Sequence, residues 1–141
     1  MDNIPFTYSG YRELLTTLRN NGYSFNDYHN CDNSEKCVIL RHDIDNTIDK
    51  ALQLAKLEAN ESVHSTYFVL LTSDFYNVAS AENTRKIREI IALGHEIGLH
   101  FDEIAYQNLC CQDLINKICD EAEILSKILH IPITTVSMHR P

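Results

Sequence analysis

The sequence is short of several things, and each shortage closes off a class of protein. Glycine and proline are scarce, at four and three in 141 residues, so the chain does not read as low-complexity or disordered. Basic residues are few. Twelve Lys and Arg against twenty Asp and Glu leave a net charge of -8, with no Lys/Arg cluster to follow a phosphate backbone, so no nucleic-acid partner is expected. No apolar run approaches bilayer length, and no membrane span is expected. The five cysteines (Cys31, Cys37, Cys110, Cys111, Cys119) contain no zinc-type C-x-x-C pair, and no secretory leader is legible. An odd cysteine count in that setting predicts reduced thiols and a cytoplasmic location, with Cys111 and Cys119 buried as small apolar residues.

What is present is a folding chain. At 44% hydrophobic, its length suits a single domain over 1–141, read as a helical lead-in (1–35) and a core (36–141). Tyr11, Leu14, Leu15 and Leu18 keep a helical rhythm that Asn20-Asn21-Gly22 stops. "CVILR" reads as a buried strand. Ile48, Ala51, Leu52 and Ala55 mark a second helix, capped by Asn46 or Thr47. "STYFVLL" is β-branched and aromatic, a second strand; "TSDFYNVAS" is loop; "AENTRKIREIIAL" is a helix that Gly94 closes. "HEIGLHF" is a third strand. A long helix from about Asn108 to Leu129 and a fourth strand, "ITTVSM", complete the chain.

Strand and helix in alternation predict an α/β fold with parallel strands, either a sheet or part of a (β/α) barrel. Four such units are too few for the roughly eight of a complete barrel. The C-terminal strands are therefore expected to be missing, and the last edge to be covered by a second copy or another partner.

In parallel architectures, functional side chains gather where strands end at their carboxyl side. The first strand delivers His42, Asp43 and Asp45; the second Thr72, Ser73 and Asp74; the third His100 and Asp102; the fourth His139 and Arg140. Imidazoles and carboxylates converging from separate strands suit a divalent metal such as Zn2+, which takes nitrogen and oxygen ligands and lowers the pKa of a water for attack near neutral pH. Asp43 and Asp45 are expected to face opposite sides of the extended segment, one toward metal and the other toward the water as general base. Each also has a plainer reading. Asp45 alone could cap the following helix, His100 could be a satisfied core histidine, and Asp102 could sit in a solvated loop. His64 and His95 begin their strands, away from the site, and His29 and His130 read as surface or turn residues.

Two motif rivals fail on spacing. The histidines of "HEIGLH" are five apart rather than four, and "DIDNTI" lacks the glycine and final acid of a calcium loop. A haloacid dehalogenase-type phosphatase, with "DIDNT" as its nucleophile motif, is a stronger alternative. Against it, the later strand ends carry histidines rather than the lysine and acids that magnesium chemistry wants.

"RHDID", "GHEIGLHFDE" and the terminal "HRP" resemble the polysaccharide deacetylase family (NodB homology), and "STYFVLL" resembles its second strand. The resemblance covers roughly residues 36–141. It implies a short, deacetylase-like (β/α) barrel and a metal-dependent hydrolase that removes an acetyl or similar acyl group from an amino sugar or polysaccharide precursor. By position it implies Asp43 as catalytic base, Asp45 and His100 as metal ligands, and Arg140 as the residue that orients Asp43. The family's second histidine ligand falls at Ile104, which cannot bind metal, so His139 is the expected replacement and Asp102 the next choice. The family's general-acid histidine belongs to a later strand. A catalytically inactive binding module is the remaining alternative.

Overall fold

The computed structural model describes residues 5–31 and 36–140. Helix α1 (Tyr8–Asn20) leads into strand β1 (Ser24–Asn26), then β2 (Cys37–Ile39) and β3 (Arg41–Ile44). Helix α2 (Ile48–Asn60), β4 (Thr66–Leu70), α3 (Ala81–Ala92), β5 (Glu96–Phe101), a single 3-10 turn (Glu103–Tyr106), α4 (Cys111–Leu129) and β6 (Val136–Met138) follow. Strands β3-β4-β5-β6 pair in that order, all parallel, and curl into half of a barrel with α2, α3 and α4 on its convex side.

Local chemistry sets the boundaries. The side chains of Thr7, Thr47 and Ser80 cap α1, α2 and α3 by accepting from main-chain N–H groups of the first turn. Thr47 holds the cap of α2, so Asp45 is not spent on it. Gly94 ends α3 with φ +95, a conformation that strains any side chain, and an ideal Cβ there would stand 3.1 Å from the His64 ring. His130 closes α4 in the left-handed region, in keeping with its reading as a turn residue.

The period of two along each strand divides the sheet into two faces. The convex face carries Ile44, Tyr67, Val69, Ile97, Leu99 and Phe101, packed against Leu52 and Ala55 of α2, Ile87 and Ile90 of α3, and Leu125 and Leu129 of α4. The concave face carries Arg41 and Asp43, then Thr66, Phe68 and Leu70, then Glu96, Gly98 and His100, then Ser137, in register across the strands. Gly98 is required there. A Cβ would lie 2.6 Å from the Phe68 ring and 2.9 Å from the Thr135 carbonyl oxygen.

Several expectations are corrected. "CVILR" is not one buried strand: the run breaks at Leu40, its lower half pairs with β1 and its upper half with β4, and the residues are only partly buried. Strand β1, three residues with little apolar signal, was not foreseen. The fourth strand is only Val136–Met138. Cys31 and Cys37 form a disulfide, so the thiols are not all reduced, and Cys111 and Cys119 are exposed because their positions on α4 fall outside its apolar stripe. Pro141 of "HRP" lies outside the described residues.

Candidate metal centre

At the carboxyl end of the sheet three strand ends meet. His100, the penultimate residue of β5, is 1% exposed and projects from the concave face. His139 follows β6, its N–H bonded to the Phe101 carbonyl at 2.8 Å, which continues the β5–β6 ladder one residue past the strand. Asp45 follows β3. The three bring Asp45 Oδ1 within 3.5 Å of His100 Nε2 and 3.5 Å of His139 Nδ1, while the two imidazole nitrogens are 2.9 Å apart.

This triangle fits a small divalent ion. Donors each about 2.0–2.1 Å from a tetrahedral ion stand roughly 3.3 Å from one another, and the observed edges bracket that value. His100 Nδ1 lies 3.3 Å from the Ser137 carbonyl, so the proton sits on Nδ1 and the Nε2 lone pair is left for the ion. Asp45 and His139 are only partly covered, whereas His100 is buried. Two imidazole nitrogens and a carboxylate oxygen are three donors of the kind a divalent ion takes, one short of a tetrahedral set.

The remaining residues named from sequence fall around this trio. Asp43 lies on the concave face with Oδ2 3.7 Å from His100 Nε2. It therefore comes to the same side as Asp45, because residues two apart in an extended chain share a face; the expectation of opposite sides fails on that geometry. The guanidinium on Asp43 is that of Arg41, with Nε and Nη2 donating to its two oxygens at 2.8 Å each. Arg140 is not there: its side chain stands 3.9 Å from Asp102, and its main-chain N–H reaches Glu103 at 3.4 Å. Asp102 accepts from the Ile104 N–H to cap the 3-10 turn and is outside the metal-ligand group. Ile104 is surface-exposed in that turn.

Sequence reasoning passed over two features. One is Arg41, whose signal was the R-x-D spacing on a strand. The other is a buried carboxylate, Glu58 of α2, fully enclosed on the convex side. Its Oε1 accepts from Tyr11 and His42, and its Oε2 from Ser65 and Tyr67, all at 2.5–2.7 Å. Burial works to raise the Glu58 pKa, but the hydrogen bonds from His42, Ser65 and Tyr11 outweigh it and bring it down to about 2. Residues on α1, β3, β4 and the segment before β4 thus converge on one acid, which fixes the strand that carries Asp43. His95, the residue before β5, is buried beside it and donates from Nε2 to the Ala55 carbonyl.

No protein-family model matches the sequence, and no curated protein does either. Among solved structures the chain is similar to the Streptococcus pyogenes deacetylase PplD in complex with acetate, with a TM-score of 0.70 and 17% identity over 96% of this chain and 64% of that one. It is also similar to the chitin deacetylase from the fungal pathogen Colletotrichum lindemuthianum, with a TM-score of 0.50 and 24% identity over 64% of this chain and 39% of that one. The chain spans less than two thirds of the length of either. The four parallel strands and their helices have the fold of a partial deacetylase-like (β/α) barrel.

Proposed function

We propose that the chain carries the metal centre of a zinc-dependent carbohydrate deacetylase, a hydrolase that removes an acetyl or similar acyl group from an amino sugar or a polysaccharide precursor. The observation that carries this reading is the triangle of Asp45, His100 and His139 on three successive strand ends, with a further carboxylate, Asp43, beside it. The likeness in fold to two deacetylase structures points the same way.

Asp45, His100 and His139 would hold the ion. When bound, a zinc ion supplies Lewis acidity, acidifying a water and polarising the acyl carbonyl. Asp43 is the general base: its carboxylate borders the trio on the concave side and takes the proton of the attacking water. The Ser137 carbonyl keeps His100 in the tautomer that presents Nε2. Arg140, through Glu103 and Asp102, steadies the segment that follows His139.

The test is acetate release from N-acetylglucosamine oligomers and acetylated polysaccharide precursors by zinc-loaded protein. Asp43→Asn is expected to lower the rate by at least about 100-fold, the scale of a lost general base, while retaining zinc. Full activity in Asp43→Asn, or release that persists after chelation, contradicts the reading.

A further inference from the structure

Two carboxylates stand beside one imidazole nitrogen, and distance does not choose between them. His100 Nε2 is 3.7 Å from Asp43 Oδ2 and 3.5 Å from Asp45 Oδ1. Both acids come to the same side of the chain, so strand geometry does not divide their roles either. Their other partners do.

Both oxygens of Asp43 are engaged by a single guanidinium. Arg41 Nε donates to Oδ1 and Nη2 to Oδ2, a two-pronged, charge-assisted pair whose planar fork fixes the carboxylate's orientation. Arg41 sits two residues earlier on the same face of β3, and its guanidinium is braced over the Phe68 ring, 5.2 Å from the centroid. Phe68 itself can lie there only because the neighbouring strand carries Gly98. Asp45, by contrast, accepts no hydrogen bond from main chain or carboxylate-directed arginine among the described residues; its neighbours are the two imidazoles.

We infer that Arg41 is a positioning residue that divides the labour of the two acids. By occupying both Asp43 oxygens it withholds Asp43 from the ion, and so leaves Asp45 to complete the ligand set while Asp43 stays in place for the water. This rests on the metal-centre reading above. Without the fork, Asp43 is a free carboxylate within reach of the ion and joins as an additional ligand.

Cobalt(II) reports such a change without any assay of activity, because its visible bands respond to ligand number and type. The full chain, stripped of metal, is titrated with Co2+ alone, alongside Arg41→Gln, Asp43→Asn and the double variant, with circular dichroism confirming the fold of each. Arg41→Gln is expected to bind Co2+ roughly tenfold more tightly, the scale of outer-shell effects on metal affinity, and to show altered bands. Adding Asp43→Asn restores the bands of the unsubstituted protein. Removing a positive charge could tighten binding by itself, but it would not move the bands in a way that Asp43→Asn reverses. Should Arg41→Gln fail to fold, Arg41→Lys keeps the charge and the stem, lacks the fork, and is expected to show the same band change in weaker form. Bands unmoved in every Arg41 variant that folds, or changed equally in the double variant, overturn the inference while leaving the metal centre standing. An unsubstituted chain that takes up no Co2+ overturns the metal centre, and this inference with it.

Discussion

His100 and His139 meet edge to face, with ring centroids 4.7 Å apart and planes at 89°, and their facing nitrogens are 2.9 Å apart. Two histidines from adjacent parallel strands reach this geometry because the β5–β6 ladder continues past β6 through the His139 N–H. His139→Ala is therefore expected to weaken zinc binding by at least about 100-fold without unfolding the chain, since His139 is partly exposed and not in the core. Competition with a chromogenic chelator measures it. Unchanged affinity would remove His139 from the ligand set.

Glu58 makes the fold acid-sensitive in a defined window. Its folded pKa of about 2 lies below the ordinary carboxylate value of 4.5, so its contribution to stability is full above about 4.5 and is lost as pH falls toward 2. For this fully buried group the contribution is on the order of 3 kcal/mol. Burial, partly opposed by the Ala55 carbonyl and Glu58, depresses His95 below its ordinary 6.5, and it acts in the same direction from higher pH: the unfolded chain takes up a proton that the native one resists. Urea midpoints measured from pH 7 downward should fall below about 6.5 and again below about 4.5. Glu58→Gln should flatten the lower limb. A midpoint that is constant from pH 5 to pH 2.5 in the unsubstituted protein contradicts the assignment.

Gly98→Ala tests the concave packing. The added methyl would overlap the Phe68 ring at 2.6 Å and the Thr135 carbonyl at 2.9 Å, and the second neighbour is backbone. A loss of about 1–3 kcal/mol is expected, read as a fall of several degrees in Tm. Because Arg41 rests on Phe68, the variant should also perturb the Asp43 side of the site. Unchanged Tm would mean that the ring is free to move aside.

Much of this was legible in the sequence, and the remainder was hidden for physical reasons. The helical rhythms and the β-branched "STYFVLL" gave four helices and the strands of a parallel sheet, because burying one face forces a period. Strand β1, with Ser24 and Asn26 flanking Phe25, has no such pattern; pairing with β2 makes it a strand. Asp45, His100 and His139 could be listed as strand-end residues, since topology alone sends them to one edge. The partner of Asp43 could not be read as easily: Arg140 lay at a strand end, whereas Arg41 required placing residues two apart on one face. Glu58 carries no local signal at all, for its four donors come from positions as distant as Tyr11 and Tyr67.

The cysteines give a simple chemical check. With Cys31 and Cys37 joined and Cys110, Cys111 and Cys119 exposed, native protein purified without reductant should react with three equivalents of a thiol reagent. After reduction and unfolding it should react with five. Closing so short a loop stabilises the fold by only about 2 kcal/mol in the chain-entropy account, so a Cys31→Ser/Cys37→Ser variant should fold and keep the metal centre. Five reactive thiols in the native, unreduced protein would rule out the bond.

The most direct measurement is X-ray absorption at the zinc edge on metal-stripped protein loaded with one equivalent of Zn2+. A first shell of nitrogen and oxygen donors with two imidazoles, reduced to one imidazole in His100→Ala, is the result predicted. An ion coordinated through sulfur, or an imidazole count unaltered by His100→Ala, would contradict it.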